Sequence, residues 1–221
     1  MNLKDNLYLI FLLLFVLSIF LIKIPVIGKF IRIINTLFHE TGHAIMALLF
    51  NSEIYRIELL KDTSGLIKIN GASKFSTFFI ALAGYPFVAI MSYLFLYLLK
   101  LELYLVILYL ILFVAIINIT FWVRNVYGII WIILFSALSV LVIYNENDLI
   151  IAIFTITISC IMLIETFISN YNLIKIAYKS PGNAGDATLL KSSTYIPSIL
   201  WALLFLFFSL YFAYLSLKLF L

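Results

Sequence analysis

Residues 31–50 read IRIINTLFHETGHAIMALLF and contain the run His39-Glu40-Thr41-Gly42-His43. On an α-helix the first and fifth positions of this run lie on one face, one turn apart, so both imidazoles can reach a single metal ion. Glu40 follows His39 directly, where its carboxylate can serve as a general base. The pattern H-E-x-x-H on a helix therefore predicts a zinc site with hydrolytic chemistry.

The surroundings of this motif strengthen the prediction. His39 and His43 are the only two histidines in the chain, and apolar residues flank them on both sides. So short a motif arises by chance in unrelated proteins. An ionisable side chain inside a membrane helix is costly, however, and is a functional hypothesis by default. Chance does not account for three such side chains on a single apolar helix.

The composition of the chain indicates a polytopic membrane protein. Of 221 residues, 66% are hydrophobic and 11% are charged, whereas soluble domains run near 45–50% apolar and about 25% charged. The single cysteine, Cys160, excludes both a disulfide framework and a zinc site built on cysteines. The net charge is +4, but no block of like charges indicates nucleic-acid binding.

Seven apolar runs are long enough, or nearly so, to span a bilayer. They lie at residues 7–27, 33–50, 75–99, 101–122, 127–144, 149–169 and 196–220. Helix is the default because lipid offers no partner for backbone polar groups. We therefore predict an all-α, multi-pass protein of the cell membrane with about six to seven transmembrane helices. Residues 1–221 are expected to form one membrane-embedded domain.

Two polar stretches interrupt this pattern. Residues 51–74 alternate loosely around Thr63-Ser64-Gly65, which predicts a short β-hairpin at the membrane surface. Residues 170–195 contain Pro181, Gly182 and Gly185 and are interpreted as a broken loop that dips into the helix bundle.

The third metal ligand must come from elsewhere in the chain, because catalytic zinc normally takes three protein ligands. With no third histidine, a carboxylate is required, and most carboxylates lie in loops or at span ends. Asp186 and Glu165 remain. The motif helix places the metal about 10 Å below the membrane surface that residues 170–195 also face. Asp186 is therefore the favoured ligand, and Glu165 stays open as the alternative.

Two other features are interpreted as structural. Asn118 lies in the middle of a span, where it can bind a substrate backbone but more often bonds a neighbouring helix. Gly84-Tyr85-Pro86 favours a kink in the third span.

Taken together, these residues resemble the site-2 protease group, the M50 zinc metallopeptidases, and most closely its small bacterial M50B-like branch. The resemblance covers most of the chain. It is carried by the HETGH helix and the strand pair after it, Ala83-Gly84-Tyr85-Pro86, Trp122-Val123-Arg124-Asn125, Gly128, Gly185-Asp186-Ala187, Pro197 and Trp201.

The resemblance implies an intramembrane zinc metalloprotease. His39, His43 and Asp186 would bind Zn²⁺, and Glu40 would be the catalytic acid/base. The partners would be the lipid bilayer and a membrane-protein substrate helix, which must unwind locally and which the hairpin at 51–74 could hold by strand addition. The alternative is a membrane protein that binds zinc without proteolysis, for metal handling or regulation. A transporter should carry polar residues across several spans, and here they are sparse.

Overall fold

The computed structural model describes residues 3–220, with side chains described from residue 9 onward. Within that range the chain forms eight α-helices and one pair of strands. They are α1 (Leu3–Leu21), α2 (Ile27–Leu49), β1 (Glu53–Leu59), β2 (Gly65–Asn70), α3 (Lys74–Lys100), α4 (Tyr104–Ile117, continuing as a π-helical turn over Asn118–Trp122), α5 (Val126–Tyr144), α6 (Asp148–Lys179), α7 (Gly185–Thr194) and α8 (Ser198–Phe220).

The helices confirm the predicted fold class. Five of those described, namely α3, α4 with its π-helical turn, α5, α6 and α8, are long and apolar enough to cross a membrane, and α1 adds a shorter apolar segment. Helix α2 is 23 residues long but carries Lys29, Arg32 and Glu40, which lower its hydropathy. The protein is therefore an integral membrane protein built from helices.

Helix α2 lies in the centre of the bundle and packs most extensively on α3. Phe38 is fully buried and meets Phe95 of α3 edge-on, with ring centroids 5.5 Å apart. Gly42 allows the two backbones to approach, since a Cβ there would lie 2.7 Å from the Cβ of Phe87. Small residues at such crossings are typical of membrane helices, which lack a hydrophobic drive to associate and rely on close packing.

The two strands pair antiparallel, which confirms the hairpin predicted from residues 51–74. The hairpin folds back along α2, and its turn reaches the middle of that helix. There the hydroxyl of Thr36 donates a hydrogen bond of 2.6 Å to the carbonyl of Thr63. Non-helical backbone is tolerated inside a helix bundle where it lines a cavity. The turn is thereby placed beside the histidine motif.

The second edge of β1 is also occupied. Ile57 forms a parallel β-bridge with Val123, which lies just after the π-helical turn. The carbonyl of Ile57 accepts a hydrogen bond from the N–H of Arg124. The side-chain amide of Asn125 bonds both the N–H and the carbonyl of Leu59, at 3.0 and 2.7 Å. Among the described residues, the free edge of the hairpin is therefore the outer edge of β2.

The interpretation of residues 170–195 as a loop is wrong for most of the segment. Helix α6 continues to Lys179, and only residues 180–184 separate it from α7. The carbonyl of Pro181 accepts from the hydroxyls of Thr188 and Ser198, so the break is tied to both following helices. Asp186 is thus the second residue of a short helix, where it is held more firmly than in an open loop.

Candidate metal centre

His39 and His43 lie one turn apart on α2, and their Nε2 atoms are 3.0 Å from each other. Their rings stand nearly perpendicular, and the ring of His39 also meets that of Tyr85 edge-on at 4.7 Å. The aromatic contact and the helix backbone fix both imidazoles so that the two Nε2 atoms face one point.

The second ring nitrogen of His43 determines which tautomer the neutral ring adopts. Nδ1 lies 2.6 Å from the carbonyl oxygen of Ile80 on α3. Because a carbonyl can only accept, Nδ1 carries the proton in the neutral ring, and Nε2 presents its lone pair. Metal-binding histidines usually have such a partner, which fixes both the tautomer and the ring orientation.

Asp186 completes a cluster of three candidate ligands. Its Oδ2 lies 3.2 Å from Nε2 of His39 and 3.3 Å from Nε2 of His43. These separations are close to the roughly 3.3 Å expected between ligands that sit at about 2.0–2.1 Å from a tetrahedral zinc ion. The cluster therefore fits a zinc ion, and no other group of this kind occurs in the described part of the chain.

Glu165, the alternative third ligand, does not reach this cluster. Its carboxylate accepts two hydrogen bonds from Arg32, Nε to Oε2 at 2.6 Å and Nη2 to Oε1 at 2.9 Å. Both of its oxygens are engaged with a cation two helical turns from His39 along α2. The arrangement of side chains thus favours Asp186.

Glu40 is buried beside the histidines, with 4% of its surface exposed. Its Oε2 atom has no hydrogen-bond partner among the described residues, and Gly65 of the hairpin turn lies directly against Oε1. A buried carboxylate without a partner costs several kcal/mol. A side chain kept in that state beside three candidate ligands is suited to take and return a proton.

Gly84 of α3 makes room for the cluster. A Cβ at this position would lie 2.5 Å from Cε1 of His39 and 2.5 Å from Nε2 of His43. The sequence pattern suggested a kink at Gly84-Tyr85-Pro86. The contacts show that this glycine is needed because both imidazoles pack on its backbone.

Gly84→Ala is expected to weaken metal binding about 10–100-fold, because overpacking of about 1–3 kcal/mol must displace an imidazole or move α3. Metal content after dialysis against graded chelator measures the effect. Gly182→Ala is the matched control, since a Cβ at Gly182 would meet nothing within 4 Å. Equal metal affinity in the two variants would contradict this account of Gly84.

The candidate ligands line a cavity of about 1080 Å³ between α2, α6, α7 and the hairpin turn. Residues 62–67 form one wall, so the free edge of β2 begins inside the cavity beside Glu40. Residues of α6 between Glu165 and Lys179 also line the cavity, and this stretch spans about 21 Å along the helix. The cavity is therefore long enough for an extended peptide segment.

Two residues have roles that the sequence pattern left open or missed. Asn118 lies outside the cavity and donates a hydrogen bond of 2.9 Å to the hydroxyl of Thr41, so it supports the motif helix from behind. Arg32 lies on the cavity wall. Its charge within an apolar run was the available signal, but its partner is far away in the sequence.

Comparison with known proteins gives one match. The family model described as Peptidase M50B-like matches residues 9–216. No match is found among the curated proteins or among the solved structures.

Proposed function

The chain belongs to the Peptidase M50B-like family, and from this premise we propose that it is an intramembrane zinc metalloprotease. It would hydrolyse peptide bonds of membrane-associated substrates from a position in the cell membrane. One observation carries the proposal. His39, His43 and Asp186 converge within one cavity of an integral membrane protein, and beside them lies the buried carboxylate of Glu40, whose Oε2 has no hydrogen-bond partner among the described residues.

In this proposal His39, His43 and Asp186 hold the zinc ion, which when bound acts as a Lewis acid that activates water and polarises a carbonyl group. Ile80 keeps the proton of His43 on Nδ1, so that Nε2 is free to bind. Glu40 accepts the proton of the attacking water and then passes it to the leaving amine. Helices α2, α6 and α7 line the cavity in which this reaction would take place.

The hairpin supports a role in holding the substrate. A membrane helix must unwind before its backbone can be cleaved, and the unwound segment then needs new hydrogen-bond partners. The outer edge of β2 offers backbone groups that pair with no other described strand, in the same cavity as Glu40. We propose that the substrate adds there as a strand, since Val123 and Asn125 already occupy the edge of β1.

The alternative, zinc binding without proteolysis, explains the three candidate ligands but not Glu40. A protein that only stores or senses zinc has no need of a buried carboxylate with an oxygen that no described residue bonds, which is costly to maintain. The arrangement therefore favours the hydrolase.

The proposal is tested with detergent-purified protein loaded to about one zinc per chain. Single-span substrates are supplied in pairs, with and without a helix-breaking Gly or Pro near the level of the cavity. Cleavage of the members with the helix breaker, at sites near it, is expected, because their scissile bond is exposed at a lower cost of unwinding. If the fully zinc-loaded protein cleaves none of the substrates, the result favours zinc binding without proteolysis.

A further inference from the structure

The pair Arg32–Glu165 is a second charged feature of the cavity. The guanidinium and the carboxylate are joined by two parallel hydrogen bonds, at 2.6 and 2.9 Å, which link α2 to α6. Both side chains line the cavity that holds the candidate metal ligands. They belong to the same space as the reaction but do not touch the cluster of His39, His43 and Asp186.

Arg32 retains N–H donors that no described residue accepts. A guanidinium carries five N–H groups, and Glu165 takes two of them, with no other hydrogen bond from Arg32 to the described residues. The side chain of Arg32 is 22% exposed, against 6% for Glu165. The remaining N–H groups are thus available to a molecule in the cavity, while Glu165 serves as a rigid support.

The position of Arg32 suits a peptide that is bound at the metal cluster. Arg32, Asn35 and His39 follow one another at helical spacing on one face of α2 and all line the cavity. Arg32 precedes His39 by two turns, or about 10 Å along the helix axis. An extended peptide covers that distance in about three residues.

Stability alone does not explain the pair. Replacing a buried ion pair by apolar residues of similar size is often neutral or stabilising, and charges within membrane helices usually serve function. The pair is also neutral as a whole. A substrate carboxylate at Arg32 would add an uncompensated negative charge, whereas a main-chain carbonyl would not.

We infer that Arg32, oriented by Glu165, binds substrate by donating hydrogen bonds to a main-chain carbonyl oxygen about three residues from the scissile bond. This inference rests on the proposed function and deepens it. The edge of β2 would hold the substrate close to Glu40, and Arg32 would hold it at the far end of the cavity. Substrates that reach Arg32 should therefore bind more tightly than shorter ones.

The test measures binding, so it does not depend on cleavage. Peptides of one to five residues, each carrying a zinc-binding hydroxamate at its carboxyl or its amino end, are titrated into the zinc-loaded full chain. In one of the two series, affinity is expected to rise about 10–100-fold when the third residue is added, which is the size of a hydrogen bond from a charged donor. Arg32→Gln should abolish this step and leave the affinity of the shorter peptides unchanged.

Two further variants control for misfolding. The double variant Arg32→Gln/Glu165→Gln leaves no unpaired charge, and it should also bind short peptides normally and lack the step. Arg124→Gln should keep the step, because the guanidinium of Arg124 bonds carbonyls of its own segment, such as Phe121 at 2.7 Å.

Three results would overturn the inference. In the first, the wild type shows no step at the third residue. In the second, the double variant retains the step. In the third, the Arg32 variants lose affinity equally for peptides of every length, which would indicate a purely structural pair. If the zinc-loaded wild type binds no hydroxamate at all, the proposed function fails as well.

Discussion

Replacing Glu40 with glutamine is expected to leave the zinc content unchanged and to lower the rate of peptide cleavage at least 10²–10⁴-fold, the typical contribution of general acid–base catalysis. Glutamine keeps the shape and one carbonyl oxygen, but it cannot accept a proton at neutral pH. Glu40 lies outside the cluster of His39, His43 and Asp186, so zinc should remain bound. Zinc content and single-turnover cleavage of a helix-broken substrate are measured on the same preparation.

Glu58→Gln is the matched control for this prediction. Glu58 lies on β1 and pairs with Arg56 at 2.7 Å, away from the cavity lining. Its variant should keep both zinc and cleavage. A Glu40→Gln variant that cleaves at the wild-type rate would show that another group carries the proton, and one that loses zinc would show that Glu40 is itself a ligand.

Removing any one of the three candidate ligands is expected to abolish stoichiometric zinc binding. Loss of a residue that merely orients a ligand costs about 10–100-fold in metal affinity, so His39→Ala, His43→Ala and Asp186→Ala should each cost more than that. Metal analysis of purified protein, by mass spectrometry, measures the loss. Cleavage should disappear in parallel with zinc.

Glu165→Gln discriminates between the two carboxylates that the sequence left open. It removes the negative charge but keeps the side-chain shape beside Arg32, so zinc should stay near one per chain. Glutamine is preferable to alanine here, since its side-chain oxygen can still accept a hydrogen bond from Arg32, whereas alanine would leave no acceptor at that position. If Glu165→Gln loses zinc while Asp186→Ala retains it, the third ligand is misassigned.

The features that the sequence predicted well are local. The i, i+4 spacing of His39 and His43 is a property of one helix, and the spans follow from apolar runs that must be helical in lipid. The strand pair also follows from a local alternation around Gly65. In these cases neighbours in the sequence determine the structure.

The features that the sequence missed depend on contacts between distant segments. Arg32 and Glu165 are 133 residues apart, and nothing near either residue indicates its partner. The side chain of Asn125 likewise bonds the backbone of Leu59, which lies 66 residues earlier in the sequence. Pro181, Gly182 and Gly185 break helices and therefore indicate a loop over residues 170–195, yet packing restricts the break to a few residues.

The separation of Asp186 from the histidines along the chain also has a consequence for biosynthesis. A ribosome that has made α2 has made His39, Glu40 and His43. About 140 residues must still be added to reach Asp186, and at about 5–20 residues per second this takes on the order of 10 s. During that interval the nascent chain has only two of the three ligands in the bilayer. We expect partial chains that end before α7 to be unable to hold the metal, so that translation itself delays the appearance of proteolytic activity.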